Sequence, residues 1–104
     1  MSIDPTYQPM YQQVRDLQFA FRDATGGSDH PAARQIDQEM DHLMDDMEVK
    51  KNPRDLENRI KNIQHYMADA THQGEALMNY NHQDHFTRSF EQMRRDVQHF
   101  SDYS

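Results

Sequence analysis

Seven histidines in 104 residues make metal binding the first chemistry to test, because a neutral imidazole is a common metal ligand. Glu39-Met40-Asp41-His42 spells Glu-x-x-His, the element that di-metal carboxylate bundles carry on two helices, with a further glutamate from each of the other two. This chain holds one such element. Met40 and Leu43 take the inward positions around it, and Glu39 and His42 flank them on opposite sides, so no buried di-metal centre is expected. His65, Asp69 and His72 are better placed. Their i, i+4, i+7 spacing puts three ligands on one face of a helix, where zinc or nickel could bind with water completing the coordination. That face points directly away from the apolar side and brings no second layer of orienting groups, so the ordinary reading is a solvated face with a His–Asp pair. His82 and His85 fall in a first helical turn, where positive charge is unfavourable, and read as polar surface.

Catalysis has less support. The sequence contains no nucleophile elbow, phosphate loop or dinucleotide fingerprint. Ser89 and Thr87 lie near histidines in sequence, but helical spacing gives them no triad geometry. The carboxylates are plentiful and expected on the surface, where nothing shifts their pKa values. The reading is of a protein that is not an enzyme and needs no cofactor.

One helix collects six acids, Asp37, Glu39, Asp41, Asp45, Asp46 and Glu48, against Arg34 alone before Lys50 and Lys51. Such a run is ordinarily a solvated face. The sharper reading is a docking surface for a basic partner protein, or a nucleic-acid mimic that occupies a DNA-binding protein. Arg88, Arg94 and Arg95 could instead neutralise part of it, within the chain or across a dimer. Met40, Met44 and Met47 share a face of the same helix, with Met67 and Met78 further on. Methionine can line an adaptable groove for a partner helix, although filling a core is its commoner use.

The elements that would position these residues read as four helices, about 9–25, 30–50, 53–80 and 82–101. Pro9 and Pro31 sit in first turns, where a missing N–H costs nothing. Gly26-Gly27 ends the first helix, and Asp29 is a suitable cap for the second. Asn52-Pro53-Arg54-Asp55 is the clearest start signal, and Asn81-His82-Gln83-Asp84 repeats its Asn-x-x-Asp form. The apolar seams step by four and three: Met10, Val14, Leu17, Phe21; Ala33, Ile36, Met40, Leu43, Met47; Leu56, Ile60, Ile63, Met67, Ala70, Gly74, Leu77; and Phe86, Phe90, Met93, Val97, Phe100. Gly74 lies on its seam, which predicts close approach of a neighbouring helix within a continuous third helix, with a break there as the alternative. Seams this narrow leave little margin against chain entropy, so Tyr11, Ala20, Met44, Tyr66 and Met78 must widen them. A homodimer is the other source of burial. Tyr80 and Tyr103, near element ends, read as surface.

The chain is long enough for one domain, and its short links predict an all-α, antiparallel up-down-up-down four-helix bundle with coiled-coil-like heptad packing. Apolar residues make up only 35% of it, and the mean hydropathy is −1.18. That polarity suits disorder, but the strict periodicity argues for a lean core. With 18 acidic and 11 basic residues the formal charge is −7, which disfavours nucleic acid and anionic membranes as partners. There is no cysteine, no signal-like start and no long apolar run, so a cytoplasmic protein is expected. The function expected is a non-enzymatic protein-interaction module, monomer or homodimer. A surface metal-binding bundle is the alternative, and a small enzyme with a fold-assembled site comes third.

Overall fold

The computed structural model describes residues 3–27, 30–49, 52–72 and 77–102. Among them are four helices and no strand: α1 (Gln8–Ala24), α2 (Pro31–Glu48), α3 (Pro53–His72) and α4 (Tyr80–Asp102).

The local signals explain most of these bounds. Residues 4–7 form a turn in which the Tyr7 N–H donates to the Asp4 carbonyl at 2.9 Å, and Pro9 follows in the first turn of α1. Gly26 and Gly27 end α1 with φ of 65° and 68°, a conformation that costs glycine nothing. The amide of Gly27 donates to the Arg22 carbonyl at 3.0 Å, which satisfies one of the open carbonyls of the last turn. Asn52 caps α3 as its sequence requires, its Oδ1 accepting the Asp55 N–H at 2.9 Å.

Three boundaries depart from expectation. The described cap of α2 is His30, whose Nδ1 accepts the Ala32 N–H at 3.1 Å. Asp29 lies outside the described residues. Helix α3 runs to His72, not to about residue 80: Leu77 and Met78 form a bend, Tyr80 already belongs to α4, and Gly74 lies outside the described residues. Helix α4 starts two residues before its anticipated start, because Asn79, not Asn81, is the cap. The Asn79 Oδ1 accepts the His82 N–H at 2.9 Å. Met78, just ahead of this cap, is buried, so the chain enters the core there and the nearer asparagine opens the helix.

Each helix packs against the next in the chain, α1 also meets α4, and the pairs α1/α3 and α2/α4 stay apart among the described residues. One core runs through all four. Every seam residue from Met10 to Ala70 is buried, as are Phe86, Phe90, Met93 and Val97, while Leu77 and Phe100 are half-buried against them. Tyr11, Met44 and Tyr66 widen the stripe as expected and Met78 joins the core itself, whereas Ala20 is exposed. Tyr7 enters the core from the turn before α1. The α1–α4 contact is the slightest of the four and carries an aromatic pair near each end: Tyr7 on Phe100 with ring centroids 5.8 Å apart, and Phe21 on Phe86 at 5.6 Å, both edge-to-face.

Candidate functional site

The acids of α2 divide into two rows because the helix is gripped from both sides. Toward α1, the Arg22 guanidinium donates twice to Asp37, at 2.8 and 3.1 Å. The amide of Gln18, itself buried, donates to Asp41 at 2.7 Å. The Tyr11 hydroxyl donates to Glu48 at 2.8 Å. Toward α3, Arg59 donates to Glu39 at 2.9 Å and to Asp46 at 3.0 Å.

These contacts reshape the electrostatics. Glu39 is a buried carboxylate, with its side chain only 8% exposed. Burial works against the charge on Arg59, but the hydrogen bonds to Glu39 and Asp46 outweigh it and hold that guanidinium's pKa above its ordinary value. The hydrogen bond to Glu48 raises the pKa of the Tyr11 phenol, and burial adds to the effect. Asp41 and Asp45 remain exposed, and the Asp45 carboxylate accepts no hydrogen bond among the described residues. The six acids are thus not one free face. Four of them are held by α1 or α3 through ion pairs or a phenol, and an exposed pair, Asp41 and Asp45, lies one turn apart.

The arginines of α4 take no part in this. Arg88 pairs with Asp84 at 3.0 Å, and Arg94 and Arg95 reach Glu91 at 2.7 and 3.6 Å. The reason is position: the backbones of α4 and α2 do not approach closely among the described residues, so neutralisation of α2 falls to α1 and α3.

His65 and Asp69 are exposed on α3, as their spacing suggested. The side chain of His72, the third of the trio, lies outside the described ones. Among the described residues no three His, Asp or Glu side chains are grouped to hold a metal ion. In the Glu-x-x-His element, Glu39 faces Arg59 while His42 is exposed. His82 and His85 are exposed at the start of α4. The Ser89 hydroxyl donates to the His85 carbonyl at 2.8 Å within its own helix. Met40, Met47, Met67 and Met78 are core and Met44 packs against it. These methionines fill the interior and line no open groove.

Two surface clefts adjoin the acidic helix. One, of about 400 Å³, lies between the end of α1 and the start of α2 over Phe21 and Ala33, with Arg22, Arg34 and Asp37 at its rim. The other, of about 330 Å³, is lined by Asp46, Asp55, Asn58, Arg59 and Asn62 between α2 and α3. No sequence pattern marked Gln18, Tyr11 or Arg59 as partners of α2, since each lies on another helix. Among the described residues no helix is long and apolar enough to cross a membrane. Compared with known proteins, the chain matches no family model, no curated protein and no solved structure.

Proposed function

We propose that the chain is a non-enzymatic interaction module that binds a basic partner protein through the acidic face of α2. The observation that carries this reading is the exposed pair Asp41 and Asp45, one turn apart, flanked by Asp37 and Glu48, which α1 holds in place. Exposed like charges at this spacing repel by a few tenths of a kcal/mol. A complementary basic surface relieves that repulsion and steers association. Carboxylates already fixed by hydrogen bonds lose little freedom when a partner arrives, so less of the interaction is lost to ordering.

The same reading takes the architecture as an antiparallel up-down-up-down bundle with heptad-type packing, working in the cytoplasm as a monomer or homodimer. Cross-helix contacts support the antiparallel order. Tyr11 early in α1 meets Glu48 late in α2, and Arg22 late in α1 meets Asp37 early in α2. Tyr7 and Phe100 pair at one end of α1 and α4, and Phe21 and Phe86 at the other.

Capture from a host lysate at low salt tests the function. The wild-type chain is expected to retain a basic protein that elutes as salt rises, and the variant carrying Asp41→Asn and Asp45→Asn to lose it while melting no lower. Salt-insensitive capture that survives both substitutions would overturn the reading.

A further inference from the structure

Donors are unevenly shared along the contact between α3 and α4. Three side chains converge on Glu91. Arg94 donates from Nε at 3.2 Å and from Nη2 at 2.7 Å, Gln64 of α3 donates at 2.8 Å, and Arg95 stands at 3.6 Å. Glu57 of α3 is poorly supplied. Among the described residues its Oε1 has only Lys61 at 3.6 Å, too long for a good hydrogen bond, and its Oε2 is buried with no partner. A carboxylate oxygen withdrawn from water and left unpaired loses its hydration without return. Lys61 is half exposed, whereas the Arg94 side chain is only 28% exposed, so the better-shielded donor in this neighbourhood is Arg94. The charge of Glu57 already acts on Arg94, favouring its protonated form, although the two make no hydrogen bond.

We propose that Glu57 is the alternative seat of the Arg94 guanidinium, so that the α3–α4 contact has two interchangeable ion-pair arrangements selected by whether Glu91 is available. In the arrangement seen, Arg94 pairs within its own helix, and the Gln64–Glu91 hydrogen bond joins α3 to α4. When Glu91 is neutralised or taken by a competing cation, Arg94 turns to Glu57, satisfies the orphaned oxygen and becomes a direct tie between the two helices. Arginine suits this exchange because its planar fork presents five donors and keeps its charge throughout. The device is a local bistable pairing whose bias is set at Glu91.

A double-mutant cycle between Glu57→Gln and Arg94→Gln, measured by denaturant unfolding of the full chain, tests the exchange. It is run once in the wild-type background and once with Glu91→Gln. In the wild type the two substitutions are expected to couple by no more than about twofold, from the charge of Glu57 acting at a distance, with Glu57→Gln alone neutral or slightly stabilising. In the Glu91→Gln background they should couple by about fivefold or more in the unfolding equilibrium constant. The Arg94 Nε–H resonance should also move on Glu91→Gln, and that shift should vanish when Glu57→Gln is added. Additivity in both backgrounds would overturn the proposal. Full coupling already in the wild type would overturn it too, because Glu57 would then be a resident partner and not a reserve one.

Discussion

Arg59 Nη1 donates to Glu39 Oε2 at 2.9 Å, joining a guanidinium with access to water to a carboxylate inside the α2–α3 packing. Removing the cation strands Glu39. Arg59→Met is expected to destabilise the bundle by about 2–3 kcal/mol, below the usual cost for a deeply buried pair because Arg59 keeps some solvent. Adding Glu39→Leu should recover most of the loss, since an apolar pair of similar size carries no desolvation cost. Chemical unfolding of the three variants checks this. A double variant no better than Arg59→Met would assign the cost to lost packing of the arginine stem.

The Tyr11–Glu48 contact gives a pH signature at the alkaline end. The Tyr11 pKa is raised above 10.0 in the fold, so its stabilisation is fully present below the unfolded value and is lost as pH rises through the folded one. Tyr11→Phe should cost about 1 kcal/mol near neutral pH and flatten the decline in melting temperature above pH 10. An unchanged alkaline slope would shift the effect to Tyr7, whose pKa is also raised, chiefly by burial.

Glu91 supplies the acid-side counterpart. Hydrogen bonds from Arg94 and then Gln64 lower its pKa from 4.5 to about 2. A depressed carboxylate contributes stability that is complete above its unfolded value and disappears as pH falls through the folded one. Thermal melts between pH 5 and pH 2 should show a decline that Glu91→Gln makes shallower. The same slope in both proteins would mean that Glu91 is no better paired folded than unfolded.

The start of α4 discriminates between two asparagines two residues apart, both ahead of the core residue Phe86. Asn79→Ala removes the acceptor of the His82 N–H and should cost about 1 kcal/mol. Asn81→Ala, inside the helix, should be neutral or slightly stabilising, because alanine has the higher helix propensity. The reverse order would restore the start to Asn81.

These boundaries show what the sequence carried and what it could not. Periodic residues such as Ile36, Met40 and Leu43 were legible because burial follows helix geometry, and each is fully buried. The end of α3 was not. Leu77 stays in phase with the seam of Leu56, Ile60 and Ile63, yet it reaches the core from a bend, so continued spacing imitated a continued helix. The fate of the acids was equally hidden. Glu39 and Asp46 look like surface charge until Arg59 arrives from the next helix. Local pattern places a residue on a face, but partners across helices are fixed only when the helices pack.

The slight contact between α1 and α4 makes the four helices unequal in how they come apart. Helix α1 is fastened mainly to α2 and touches α4 little beyond its edge-to-face rings, whereas α2, α3 and α4 pack closely in sequence. Aromatic pairs of that kind add only about 0.5–1.5 kcal/mol beyond their burial. Helix α1 is therefore a hinged leaf on a three-helix body. Its backbone amides should exchange with solvent deuterium through a partial opening, at lower free energy than those of α3, before the remainder of the molecule yields.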